Sequence, residues 1–142
     1  SLPDSLARSL YSVLAHDPSF HFIPVCREGE AFAIAAGLII GGKKPLILIQ
    51  ATGMFESGDS IRGMGLDCRL PLVMMVGRGG STTGPPGHDS AWHFVGPVLQ
   101  AWEVKQYPME SDDDLHKIPE AFREAQASVQ PVALLFGGGG ST

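Results

Sequence analysis

Charge is scarce in this chain of 142 residues: Asp, Glu, Lys and Arg make up 18% of it, against 44% apolar residues. That balance describes a globular domain, slightly rich in apolar residues for its size. One domain is expected, with about two-thirds of its surface buried. No basic cluster is present, and the net charge of -5 argues against a nucleic-acid partner. Cysteine is nearly absent. Cys26 and Cys68 lie far apart without metal-ligand spacing, so reduced thiols are expected and no metal site. No apolar run outlasts Ala31 to Ile40, which is too short to span a membrane. No secretory or transit signal opens the sequence, and a cytoplasmic protein is expected. Internal repeats are also missing.

Apolar periodicity orders the rest. A helix is predicted from about Asp4 to His16, where Leu6, Leu10 and Leu14 share a face. Phe20 to Val25 is a short apolar strand, and Gly29 to Ile40 a helix apolar nearly all round, hence buried. Gly41-Gly42 ends it. Leu46 to Ala51 and Leu72 to Val76 have the continuous apolar character of strands covered on both faces. Between them Ser57 to Cys68 is helical, with Ser57 or Asp59 as cap. Gly77 to Gly87 is a loop. Ser90 to Trp102 is a helix, Val104 to Tyr107 a strand, Asp114 to Gln130 a helix and Val132 to Phe136 the last strand. Strands alternating with helices predict an α/β fold: a doubly wound, mostly parallel sheet with helices on both faces. The domain is expected to span residues 1–136. Residues 137–142, Gly-Gly-Gly-Gly-Ser-Thr, have the composition of a flexible linker. No strand precedes the first helix, so the first strand of the sheet is expected to be absent from this chain.

In such sheets ligands gather at the carboxyl ends of the strands. Glu28, the stretch from Thr52 to Glu56 and the Gly77 loop all follow strands, and one common rim is expected. Glu28 is a lone carboxylate between a strand and an apolar helix. A charge there needs a function or a partner. Its plain alternative is a first-turn carboxylate that complements the helix dipole. Gly53 suits a backbone approached closely by a ligand or partner.

The succession Arg27-Glu28-Gly29-Glu30, Ala35-Ala36-Gly37-Leu38, Gly41-Gly42-Lys43-Lys44-Pro45, an apolar strand and Gln50-Ala51-Thr52-Gly53 resembles the pyrimidine-binding domain of thiamine diphosphate enzymes. The likeness is to the α subunits and N-terminal domains of sulfopyruvate and phosphonopyruvate decarboxylases. It covers nearly the whole chain to Phe136 and is most specific from Arg27 to Gly53. The resemblance implies that Glu28 is catalytic and hydrogen-bonds N1′ of the cofactor's aminopyrimidine. That contact favours the imino tautomer, whose nitrogen takes the proton from C2 of the thiazolium ring. A carboxyl group shielded from water shares such a proton better than a solvated one. Gly53, Thr52 and Glu56 are implied as further cofactor-binding residues.

The family holds the diphosphate and Mg²⁺ on a second domain with a Gly-Asp-Gly stretch. No such stretch occurs here; Ser57-Gly58-Asp59-Ser60 is not that motif. A β subunit carrying that domain is therefore implied, in an α2β2 or higher heteromer, with a small 2-oxo acid as substrate. The Gly77 loop could cradle phosphate but lacks the Lys-Ser/Thr of a P-loop, and a surface loop is the preferred reading. One departure concerns substrate choice. Relatives place Asn-Ser-Gly-Leu-Gly-Asn after the glutamine; this chain has Ala51-Thr52-Gly53-Met54-Phe55-Glu56, with a carboxylate for an amide.

Weaker candidates remain. His88 and His93 could move protons, or be surface histidines. Arg27, Arg62 and Arg78 could hold a sulfonate, phosphonate or carboxylate, or be solvated or paired. Cys26 is expected to be a small buried residue, and Met54, Met64, Met74 and Met75 packing residues. Trp92 and Trp102 are expected in the core or an interface. A carboligase subunit of the same family, or a non-catalytic flavodoxin-like assembly module, are the alternatives. A neighbouring reading frame with a Gly-Asp-Gly domain favours an enzyme.

Overall fold

The computed structural model describes residues 1–2, 8–78 and 90–137. Four parallel strands form one sheet: β1 (Leu46–Gln50), β2 (Val73–Gly77), β3 (Lys105–Met109) and β4 (Val132–Phe136), in the order β1-β2-β4-β3. The helices are α1 (Arg8–His16), α2 (Glu28–Ile40), α3 (Ala51–Glu56), α4 (Gly58–Ser60), α5 (Ser90–Ala101) and α6 (Lys117–Ser128). A π-helix spans Ile61–Asp67 and a 3-10 helix Asp112–His116. This is the α/β architecture expected from the sequence, with the last strand at the expected residues.

Side-chain alternation sorts the core into two layers. Ile47, Ile49, Met74, Val76, Ala133 and Leu135 point to one face, where α2, α3, the π-helix and α5 cover them. Val73, Val132 and Leu134 point to the other, under α6, and Leu48 meets Tyr11 of α1 there. The chain moves outward from β1 through β2 to β3, then returns inward to β4. Right-handed crossovers require the returning helix to change face, and α6 lies opposite α5. Gly65 of the π-helix packs closely on Pro131: a Cβ there would lie 3.1 Å from the ring, so a side chain would need the proline to give way.

Three expectations need correction. Phe20 to Val25 forms no strand. The Val25 N–H donates to the Ser1 carbonyl and the Ser1 hydroxyl to the Leu48 carbonyl, so Ser1 occupies the place beside β1. Pro24 also has no N–H for a ladder. Helix α2 is not buried all round. Phe32 and Ala35 are in the core, but Ala33, Ile34, Gly37 and Ile40 face outward, and Ile40 is 79% exposed. The helix expected from Ser57 has no side-chain cap; helical structure already begins at Ala51, and the stretch ends in π geometry, with the Cys68 N–H on the Gly63 carbonyl. The expected linker from residue 138 onward and most of the Gly77 loop lie outside the described residues.

The helix expected from Asp114 to Gln130 is shorter: the acidic residues form the 3-10 helix ahead of α6, which runs from Lys117 to Ser128. Asp114 accepts from the Glu110 and Ser111 N–H groups and pairs with Lys117, whose hydrogen bond is the main cause that holds its carboxyl down at about 2. At the other end Val129 is left-handed, with φ 54°. A β-branched residue is strained there by about 1–2 kcal/mol, where glycine is not. Val129→Gly is expected to raise stability by about 1 kcal/mol and the melting temperature by about 3 °C, as read by calorimetry. No helix of the described residues is long and apolar enough to cross a membrane.

Candidate functional site

Helix α2 enters β1 through Gly41 and Gly42, so its first turn lies at the carboxyl end of the sheet. Glu28 opens that turn and is half-buried. Strand β1 delivers the chain at the same end into α3, with Ala51, Gly53 and Met54 buried and Thr52 and Glu56 exposed. The two segments touch at one place. A Cβ on Gly53 would lie 2.3 Å from Glu28 Cγ and 2.5 Å from its Oε1. The Glu28 side chain therefore lies flat on the bare backbone of Gly53, and the carboxylate fills the space that any other residue at 53 would take. The close approach expected at Gly53 is made by this chain's own glutamate.

Glu56 sits at the start of α2. Its carboxylate pairs with the Arg27 guanidinium. The Ser57 hydroxyl donates a further hydrogen bond at 3.4 Å, and Glu56 Oε2 lies over Gly29, 3.7 Å from where a Cβ there would sit. The Arg27 hydrogen bond is the main cause that holds Glu56 below the usual carboxylate range. The same bond raises Arg27 further. Arg27, the N-cap residue, has no side chain that can accept the first-turn N–H groups; Glu30 instead accepts from the Cys26 and Arg27 N–H groups. Cys26 is exposed in the bend before α2, not buried as expected.

The remaining candidates are placed differently. Arg62 is held by Asp59 and Asp67 of its own helical segment. Arg78 follows β2, its N–H bonded to the Phe136 carbonyl and its guanidinium 5.5 Å from the centre of the Trp92 ring. His93 is exposed and meets Phe94 edge-on, while His88 lies outside the described residues. Met54 and Met74 are fully buried, and Trp102 packs against Gly58. A depression of about 140 Å³ lined by Lys43, Lys44, Pro45 and Phe122 lies at the opposite, amino end of the strands.

Sequence reasoning brought Glu28, Thr52, Gly53 and Glu56 to one rim, and the structure places them together. It missed that Arg27 answers Glu56. The available signal was weak: between Ala31 and Gly58 the only charges are Lys43, Lys44 and Glu56, so Glu56 had to find its counter-ion elsewhere.

Fold and site define an α/β chain that lays a half-buried glutamate against a glycine backbone at a helix start on the carboxyl rim of a parallel sheet. The chain is similar to the sulfopyruvate decarboxylase subunit alpha of Methanocaldococcus jannaschii, with 27% identity over 138 residues, covering 96% of this chain and 82% of that one. The same subunit from Methanococcus maripaludis is 23% identical over 95% of this chain and 82% of its own. The phosphonopyruvate decarboxylase of Streptomyces viridochromogenes is 26% identical over 96% of this chain, but only 34% of its own length is covered. No protein-family profile matches the chain.

Proposed function

We propose that this chain is the pyrimidine-binding subunit of a split thiamine diphosphate-dependent 2-oxo acid decarboxylase, with Glu28 as the group that bears on the cofactor. The observation that carries the reading is the Glu28 carboxylate laid against Gly53 at the rim. The relatives named as decarboxylase alpha subunits support it. The residues fit the cofactor's aminopyrimidine: the ring nitrogen N1′ needs a carboxyl group, and Glu28 is a half-buried one beside a backbone free of side chain.

When bound, thiamine diphosphate supplies the electron sink that lets carbon dioxide leave a 2-oxo acid. This chain's own part is smaller. Glu28 holds and shares a proton at N1′. Gly53 leaves room for its carboxylate. Thr52, exposed on the same helix, is assigned to the pocket wall. The diphosphate and Mg²⁺ are assigned to a β subunit, on the strength of the relatives named as alpha subunits. A carboxylate at position 56 would repel a second anionic group on the substrate, but Glu56 is paired with Arg27, which weakens that repulsion. Arg62, already engaged by two carboxylates, would have to leave them to hold one. Titration calorimetry tests the reading. The complex with the β subunit should bind thiamine diphosphate with Mg²⁺, and this chain alone only weakly; equal affinity in both would refute the division of the site.

The outer stripe of α2, Ala33, Ile34, Gly37 and Ile40, is assigned to the subunit interface, continuous with the rim that Glu28 opens. Burying an apolar side chain of this size contributes about 1.5–3 kcal/mol. Ile40→Glu is therefore expected to weaken association by about tenfold or more, measured by ultracentrifugation, without loss of helix content. Unchanged association would move the interface elsewhere.

A further inference from the structure

The Arg27–Glu56 pair has no part in the chemistry above, yet it brackets the glutamate that does. Arg27 precedes Glu28 and Gly29 follows it. Glu56 takes the guanidinium of the first, and its Oε2 lies over the second, 3.7 Å from where a Cβ on Gly29 would sit. Three residues earlier on α3, Gly53 carries the side chain of Glu28 itself. One short helix thus meets three consecutive residues at the start of α2: Arg27, its N-cap, and Glu28 and Gly29 of its first turn.

The first turn of α2 needs such a grip. The first N–H groups of a helix have no partner within it, and helix ends fray. Arg27 provides no side-chain cap bond here. Glu30 takes the Cys26 and Arg27 N–H groups, and the Glu56 carboxylate lies over Gly29 while it pairs with Arg27. Without Glu56, Arg27 loses the carboxylate that ties it to α3, and the turn holding Glu28 keeps only its contact with Gly53. The pair itself is well exposed, 73% for Arg27 and 37% for Glu56, so it adds little to global stability. Its effect is local. We infer that Glu56, with Arg27 as its counter-ion, is a positioning clasp that sets the Glu28 carboxylate against Gly53, so that Arg27 serves α2 and not a substrate anion. This rests on the reading of Glu28 as the cofactor-facing group.

The test compares Arg27→Met, Glu56→Gln, their double variant and Arg27→Lys. The first readout needs no cofactor: in the full chain, the nuclear Overhauser effect between the Glu28 γ protons and the Gly53 α protons. It should fall in both single variants and persist in Arg27→Lys, which keeps the ion pair. The second is turnover with the β subunit. The clasp predicts a kcat lower by about tenfold, an unchanged KM for the 2-oxo acid, and a double variant no worse than the poorer single one. Melting temperatures should stay within about 3 °C of wild type. An intact Overhauser effect in both single variants overturns the clasp. So does a raised KM with unchanged kcat in Arg27→Met, which would make Arg27 a substrate anchor. The two readings fail separately. Full turnover by Glu28→Gln would remove the thiamine reading and leave the Overhauser result standing.

Discussion

On the proposed function, Glu28→Gln in the complex with a β subunit is expected to lower kcat by about 10²–10⁴-fold, the span of a proton-transfer contribution. The amide matches the carboxylate in shape and still reaches the same atoms, but it cannot hold or release a proton at N1′. The fold should tolerate the change. Glu28 is half-buried in the first turn of α2, so the variant loses only a favourable charge on the helix dipole, about 0.3–1 kcal/mol. Steady-state kinetics beside a melting curve separate the two effects. The loss should exceed that of His93→Ala, whose ring lies on the surface against Phe94. Turnover within a few-fold of wild type would take Glu28 out of the mechanism.

Gly53→Ala should be the second most damaging change, although alanine is the better helix former. The substitution favours α3 by about 0.5–1 kcal/mol in backbone terms. The new methyl, however, would lie 2.3 Å from Glu28 Cγ, far inside contact distance. That atom is near the root of the side chain, so a rotation of the carboxylate alone does not relieve the clash. Glu28 must swing away from the rim. A displacement of about 1 Å at a reacting group costs on the order of 10²-fold in rate, so kcat should fall by about that factor. The double variant Gly53→Ala, Glu28→Gln should be no slower than Glu28→Gln alone, because the glycine acts only through the glutamate. Additive losses would give Gly53 a role of its own.

Much of this was legible in the sequence because burial on both faces leaves continuous apolar runs. Leu46 to Gln50, Val73 to Val76 and Val132 to Phe136 are such runs and became β1, β2 and β4. Phe20 to Val25 misled: of that run only Val25 is buried, Phe20 and Pro24 are exposed, and Ser1 took the position beside β1. The apolar circumference of α2 was visible, but an isolated chain buries only the side facing the sheet, and Ile34 and Ile40 remain outside. At the site, Glu28 reached the rim although the strand expected before it does not form: α2 runs back against β1, so its first turn meets the residues that follow that strand. The contact between them was hidden. Gly53 permits close approach by anything, and nothing local says that the visitor is a glutamate of the preceding helix. Arg27 and Glu56 are separated by α2 and β1, so their pairing depends on packing that no spacing rule encodes.

Carbon dioxide release from a panel of small 2-oxo acids tests the central claim most directly. The assay compares this chain alone, the β subunit alone and the two together, each with and without thiamine diphosphate and Mg²⁺. The account predicts release only from the pair with cofactor present, and its loss when Glu28→Gln replaces the wild-type chain. Full turnover by this chain alone, or release by the pair that does not depend on thiamine diphosphate, would contradict it.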